Sequence, residues 1–250
     1  MSYTELLSPE MQNTLQAAGY DTPTPIQEKS LEILLNNRDL IGVAQTGTGK
    51  TAAFAVPIIE RINPENRRPQ ALILCPTREL ALQTTAVFKK LSLHKKMRTV
   101  SIYGGQSTGI QIQALRGGAQ VVVGTPGRVK DLINQNALKL NNIRFVVLDE
   151  ADEMLDFGFL PDIKWILGNV SGEHQMMLFS ATMSKEINSI AQSYLTKPAT
   201  IEVGERNEPT KTVQQLSINT PESGKVTTIE DLMKQATTRL TLNFSNPRHR

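Results

Sequence analysis

The sequence predicts an α/β fold: a doubly wound, mostly parallel sheet with helices on both faces. Three observations lead to that prediction. Short apolar runs recur along the chain and alternate with helix-like segments, the pattern of strands joined by crossover helices. Most of the runs lack the in-and-out alternation of a half-solvated strand, which suits strands covered on both faces. The residues with chemistry to offer cluster just past the runs, and open α/β sheets bind ligands at the carboxyl ends of their strands.

In chain order the strand candidates are Leu40-Ile41-Gly42-Val43, Ala71-Leu72-Ile73-Leu74, Val100-Ser101-Ile102-Tyr103, Val121-Val122-Val123, Phe145-Val146-Val147-Leu148, Met177-Leu178-Phe179 and Thr200-Ile201-Glu202-Val203. The helix candidates between and around them cover 26–36, 50–62, 79–91, 108–116, 127–134, 159–168 and 184–195. Residues 1–204 therefore read as one domain. Residues 205–224 carry the turn-rich segments Gly204 to Pro209 and Asn219 to Gly224 and read as a linker, with a short extended stretch from Val213 to Ile218. A helix-like segment from Lys225 to about Gln235 and an alternating run from Arg239 to Phe244 follow. One helix and one strand cannot bury a core of their own, so 225–250 reads as the opening of a second domain.

Composition narrows the class. Of the 250 residues 39% are apolar, an ordinary globular balance. No apolar run approaches the roughly 20 residues that span a bilayer. Met1 to Glu5 lacks the basic and apolar regions of a secretory signal. Cys75 is the only cysteine, which excludes an internal disulfide and points to a reducing, cytoplasmic location. It lies in the apolar run Leu72-Ile73-Leu74-Cys75 and reads as core filler. A formal charge of +3 and a pI near 9.0 are mildly basic. The densest basic cluster, Lys89-Lys90 with His94-Lys95-Lys96 and Arg98, reads as a solvated helix face and loop.

Two segments define the expected chemistry. Ala44-Gln45-Thr46-Gly47-Thr48-Gly49-Lys50-Thr51 joins a strand to a helix, the context a phosphate-binding loop requires. Gly47 and Gly49 allow backbone angles that side chains block. The loop amides, with those of Thr46 and Thr48, point toward phosphate oxygens, Lys50 reaches the terminal phosphates, and the Thr51 hydroxyl ligates Mg2+. The common pattern has glycine at the position of Ala44. A hundred residues later, Phe145-Val146-Val147-Leu148 runs into Asp149-Glu150-Ala151-Asp152. A strand-end Asp149 can hold Mg2+ through water, and Glu150 can polarise the attacking water. Alone, this acidic run would read as the first turn of a helix. Paired with the glycine loop it implies a nucleoside triphosphate hydrolase.

With these residues in view, the chain resembles the N-terminal half of a DEAD-box RNA helicase, a family named for the tetrapeptide at 149–152. Further short motifs fall in the family's order across residues 20–182. Pro23-Thr24-Pro25-Ile26-Gln27 resembles the adenine-reading element, in which Gln27 would offer the base edge a donor and an acceptor. Pro76-Thr77-Arg78-Glu79-Leu80-Ala81, Gly104-Gly105 and Thr125-Pro126-Gly127-Arg128 resemble three RNA-contacting elements. Ser180-Ala181-Thr182 resembles the element that couples hydrolysis to domain movement, and Asp152 would serve a conformational contact with it. The family's adenine-stacking aromatic would fall at Ser2, one residue from Tyr3.

The resemblance implies a RecA-like domain of the phosphate-loop class that uses ATP and Mg2+ and grips RNA by its backbone without reading sequence. Arg78 and Arg128 would meet phosphates or pair with nearby acids. A second RecA-like domain is the implied partner, since 225–244 resembles only its first helix and strand. The chain alone is then expected to bind nucleotide and hydrolyse it weakly. A nucleotide-dependent RNA-binding module without unwinding activity, and a DNA-directed motor, are the competing readings.

Overall fold

The computed structural model describes residues 3–203 and 217–235. Contacts divide the chain into two compact units, Met1–Gly204 and Glu205–Arg250. In the first unit a 3-10 turn at Tyr3–Leu6 leads into α1 (Pro9–Ala17) and α2 (Pro25–Leu35). Then come β1 (Leu40–Ala44), α3 (Lys50–Arg61), β2 (Ala71–Leu74), α4 (Arg78–Leu91), β3 (Thr99–Ile102) and α5 (Thr108–Arg116). They are followed by β4 (Val121–Gly124), α6 (Pro126–Asn134), β5 (Phe145–Leu148), α7 (Ala151–Asp156), α8 (Leu160–Gly168), β6 (Gln175–Ser180), α9 (Lys185–Tyr194) and β7 (Ala199–Val203). In the second unit a 3-10 turn at Glu222–Gly224 opens α10 (Lys225–Gln235).

The seven strands form one sheet in the order β3-β4-β2-β5-β6-β1-β7. Every pairing is parallel, with Ala71 opposite both Val121 and Phe145, and Leu40 opposite both Met177 and Ala199. The pleat sends alternate residues of each strand to opposite faces, and each face has its own core. Ile73, Val123, Val147 and Phe179 pack with α1–α4. Leu72, Leu74, Val122, Val146, Leu148 and Leu178 pack with α5–α9. Both faces are apolar, so the runs show no alternation, and the doubly wound reading holds. Only the edge strand β7 alternates clearly, with Ile201 buried between exposed Thr200 and Glu202.

Local chemistry sets the helix starts. Side chains of Ser8, Thr77 and Ser184 accept from the backbone N–H three residues on, at 3.3, 3.2 and 3.3 Å, which is N-capping. Proline stands in the opening positions of α1, α2, α6 and α8, where its missing N–H costs nothing. Two helices were not anticipated. α1 begins at a Ser-Pro cap that lies outside the strand–helix alternation, and α7 is only six residues long. The strand expected over 239–244 lies outside the described residues, as do positions 213–216 of the expected extended segment. Residues 217–221 have no regular structure.

Lys89, Lys90, Lys96 and Arg98 of the basic cluster are exposed, as a solvated face requires, but some of its side chains also hold other elements. Lys95 Nζ donates to the carbonyls of Ile59 and Glu60 at 2.7 and 2.5 Å, at the carboxyl end of α3. There its charge meets the negative end of the helix dipole. Lys90 Nζ donates to Ala18 O at 2.9 Å, His94 Nδ1 meets Thr14 Oγ1 at 3.0 Å, and Arg98 Nη1 donates to Gly117 O. Lys90, Lys95 and Arg98 thus meet carbonyls at the carboxyl ends of α1, α3 and α5, where an intrahelical donor is lacking. Cys75 is fully buried, and burial pushes its thiol well above the ordinary range, so it is inert core filler.

Candidate functional site

β5, β6 and β1 are neighbours in the sheet, so the segments leaving their carboxyl ends meet although they are far apart in sequence. After β1 the glycine loop turns through Gly47 at φ +85° and Gly49 at φ +92°, angles that exclude most side chains. A Cβ on Gly49 would also stand 2.5 Å from Gln27 Nε2 and 2.9 Å from Thr24 Oγ1. The loop therefore needs glycine here for space as well as for angle. Lys50 opens α3, is buried, and turns its Nζ back to the Ala44 carbonyl at 2.9 Å. Thr48 Oγ1 donates to Gln45 O at 2.8 Å, holding the loop curled. Thr51, half-buried, stands beside Lys50 in the first turn of α3. No hydrogen bond ties it to the acidic pair.

Asp149 and Glu150 follow β5 directly and are 2% and 8% exposed. Burial lifts the Asp149 carboxyl from 3.8 to about 7; the Lys50 ammonium opposes the rise and the Glu150 carboxylate adds to it. Its Oδ1 is buried with no hydrogen-bond partner. Glu150 adopts a left-handed backbone, φ 53° and ψ 55°, which costs a non-glycine residue of order 1–3 kcal/mol and recurs at functional sites. Its Oε1 accepts from Thr46 Oγ1 at 3.0 Å, so the acidic pair touches the glycine loop. Asp152 and Glu153 lie in the first turn of α7, so the acidic run is a helix start as well as a strand-end cluster. Burial and then the Glu150 carboxylate raise Glu153.

These features fit a bound cation. An orphaned buried carboxylate oxygen beside a second carboxylate is destabilised until positive charge arrives. Among the described residues no group of three or more His, Cys, Asp or Glu side chains is placed to hold a metal by itself. Asp149 supplies the carboxylate oxygen that a hard, oxygen-seeking cation takes before water and phosphate complete its shell.

The next strand supplies the third segment. Asp152 Oδ2 accepts from the N–H groups of Ala181 and Thr182 at 3.1 and 2.9 Å and from Thr182 Oγ1 at 3.1 Å. Three donors on one oxygen fix the loop after β6 against α7. Ser180 is fully buried at the end of β6, and its Oγ has no partner.

The other half of the sheet, β2, β4 and β3, carries the remaining predicted residues on its own carboxyl ends. Pro76, Thr77 and Arg78 follow β2, Gly104 and Gly105 follow β3, and Thr125 to Arg128 follow β4. Thr77 is an N-cap, and Thr125 occupies the N-cap position of α6 with no side-chain cap bond. Added Cβ atoms on Gly104 and Gly105 would meet open space. Among the described residues neither arginine pairs with an acid. The Arg78 guanidinium lies 5.0 Å from the centre of the Tyr103 ring. Arg128 Nη1 donates to Gln106 O at 3.0 Å and Gln111 Oε1 at 3.2 Å. Aromatic and amide partners hold these cations without neutralising them.

Gln27 is buried and engaged on both sides. Its Nε2 donates to Gly49 O at 3.1 Å and its Oε1 accepts from Thr24 N–H at 3.1 Å. One hydrogen and one lone pair of the amide remain for a base. The side chain of Tyr3 lies outside the described set. Sequence reasoning missed Glu153, Tyr103, Gln106 and Gln111, which position the predicted residues. Only Glu153 carried a signal, one residue beyond the acidic tetrapeptide.

Comparison with known proteins agrees with this geometry. The DEAD/DEAH box helicase family model matches residues 24–190. The chain is 42% identical over 244 residues to the DEAD-box ATP-dependent RNA helicase CshA of Bacillus subtilis, covering 98% of this chain and 49% of that protein. The Streptococcus pneumoniae CshA is also 42% identical, over 251 residues, with 100% and 48% covered. The chain thus spans about half the length of the curated relatives it matches. A DEAD box protein from the hyperthermophile Methanococcus jannaschii superposes with a TM-score of 0.77 at 38% identity, covering 91% of this chain and 61% of that one. Fold, site geometry and likeness agree: this chain belongs to the DEAD/DEAH box helicase family.

Proposed function

We propose that this chain is the nucleotide-binding and hydrolysing half of an ATP-dependent RNA helicase, working from the cytoplasm with a second RecA-like domain that begins at about residue 225. The observation that carries the reading is the meeting of Lys50, Thr46, Asp149 and Glu150, with a buried Asp149 oxygen left unpartnered. Lys50 would exchange the Ala44 carbonyl for a terminal phosphate, while the amides of Thr46 to Gly49 cradle the others. Thr51 and Asp149 would hold Mg2+, which neutralises phosphate charge when bound. Glu150 would orient and deprotonate water, its carboxylate held by Thr46 until nucleotide enters. Gln27 supports this by linking a base-side amide to the Gly49 carbonyl.

The RNA reading draws support from the segments after β2, β3 and β4. Pro76, Thr77, Arg78, Gly104, Gly105, Thr125, Pro126, Gly127 and Arg128 offer small side chains, hydroxyls and two unneutralised guanidinium groups to a backbone. Asp152, Ser180 and Thr182 would transmit the state of the nucleotide, since Asp152 bridges the acidic run to the loop after β6. Hydrolysis by this chain alone is expected to be slow. An arginine supplied from another domain contributes about 10³–10⁵ in rate in related phosphoryl-transfer enzymes.

Equilibrium binding and single-turnover hydrolysis test the assignment together. Lys50→Ala should abolish nucleotide binding. Glu150→Gln should keep binding and lose hydrolysis by about 10²–10⁴-fold. Equal loss of binding in both variants contradicts the separate roles.

A further inference from the structure

Two adjoining clefts open at the amino ends of β2, β3 and β4, at the end of the sheet opposite the site above. The first, about 550 Å³, is lined by Arg67, Arg68, Arg116 and Lys139, and among the described residues no carboxylate lines it. The second, about 560 Å³, adds Lys95, Lys96 and Arg98, with Glu65 its one acid. They share Arg67, Gly117 and Gly118. Gly118 has φ +86°, and a Cβ there would stand 3.1 Å from Arg67 Cβ, so the glycine turn lets the two clefts run together past Arg67.

The cations differ in what they already do. Lys95 and Arg98 are committed to backbone carbonyls. Arg67, Arg68, Arg116, Lys139 and Lys96 are exposed, and none makes an ion pair or side-chain hydrogen bond among the described residues. Five free cations around one joined groove repel one another, an arrangement that favours an anion. Asn136, Asn141 and Asn142 add neutral amides to the rim. The four-residue strands separate this end from the carboxyl-end segments by about 13 Å. A single phosphate would leave most of the groove empty; a chain of phosphates would fill it.

We infer that this groove is a second RNA-backbone site, at the amino end of the sheet. It rests on the RNA reading above for the class of polyanion, and on the groove's own charge for its place. It reads no sequence, because its groups are cations and amides on an open surface. It would hold RNA flanking the segment bound at the carboxyl ends and add salt-sensitive affinity.

The test is the salt dependence of binding to a labelled polyuridine strand by the full chain, followed by anisotropy. The combined variant Arg67→Ala, Arg116→Ala and Lys139→Ala should bind more weakly and lose about 2 from the log–log salt slope, at about 0.7 per lost phosphate contact. Its melting temperature and nucleotide affinity should match the parent's. Arg67→Lys with Arg116→Lys should keep the slope, since charge and not fork geometry is required. An unchanged slope in the alanine variant overturns the groove site alone. No polyuridine binding by the unsubstituted chain overturns both this inference and the RNA reading. Binding to phosphatidylserine vesicles that the alanine variant loses, with the polyuridine slope unchanged, assigns the groove to a membrane surface and overturns it as an RNA site.

Discussion

The two ends of the sheet differ in how they treat their buried amide and carboxylate side chains. At the amino ends, the residues opening or just preceding four strands are Asp39, Gln70, Gln120 and Gln175, all buried and all satisfied. Asp39 accepts from Met176 and Thr196 N–H at 2.8 and 2.7 Å. Gln70 and Gln120 bond the backbone of the loops beside them. Gln175 donates to Leu34 O and Arg38 O and accepts from Arg61. At the carboxyl ends, Asp149 and Ser180 are as deeply buried, yet Asp149 Oδ1 and Ser180 Oγ have no partner, and Glu150 is held in a left-handed conformation. Buried polar groups are ordinarily paired. At these four residues the amino end follows that rule and fastens the fold, while Thr99 Oγ1 at the start of β3 and the neighbouring His94 Nε2 depart from it. The carboxyl end breaks it at Asp149 and Ser180, beside the glycine loop, where a ligand would complete the pairing.

Substitutions that act with opposite sign at the two ends test this contrast. The largest effect on stability belongs to Gln175→Ala, which strands the Arg38 carbonyl and a guanidinium hydrogen of Arg61, while Leu34 O keeps its bond from Arg61. It should cost about 3 kcal/mol in denaturant unfolding and leave nucleotide affinity unchanged. Asp149→Asn should do the reverse, raising the stability of the nucleotide-free chain at neutral pH by about 1–2 kcal/mol while removing Mg2+-dependent hydrolysis. A loss of stability in that variant would mean that Asp149 is already compensated. Ser180→Ala removes an orphaned hydroxyl and should move stability upward by no more than about 0.5 kcal/mol. A drop of about 1 kcal/mol would reveal a partner.

The smallest effect sharpens the contrast at the amino end, where His94 also has a partnerless nitrogen, Nε2. Burial, and then Lys95, lower its pKa below 6.5. The folded state thus binds its proton less readily than the unfolded chain. The stability it allows is fully present above 6.5 and declines as pH falls through 6.5 toward the lower folded value. Melting temperature should fall on acidification, and His94→Asn should flatten that part of the profile.

How much of this was legible in the chain varies by element. β2 and β5 match their apolar runs residue for residue, because a short apolar run between Gln70 and Pro76, or between Arg144 and Asp149, leaves a buried parallel strand little freedom in its ends. β6 is longer than its run and begins at Gln175. A buried glutamine looks polar in sequence, and only the carbonyls of Leu34 and Arg38 make it a strand residue. The same blindness hid the satisfied amides at the other amino ends, although a Gln or Asp directly before an apolar run recurs there. The glycine loop and the acidic pair were legible because their residue types and spacing are dictated by backbone angle and charge. The partners of Arg78, Arg128, Lys90 and Lys95 were not legible, since an aromatic ring or a carbonyl leaves no mark on the charge pattern.

The alternation of strands and helices, the tight loop at Gly47 and Gly49 and the acidic strand end at Asp149 and Glu150 were already written in the chain. Each of these follows from local rules of apolar pattern, backbone freedom and charge. That β5, β6 and β1 stand side by side, bringing Thr46 to Glu150 and Asp152 to Thr182, emerges from the packed fold alone. Strand order is a choice among crossovers that local sequence does not encode; it is set by which arrangement covers both faces of the sheet with apolar helices. That same arrangement collects the free cations of distant loops at the far end, where no sequence-adjacent pattern announces them.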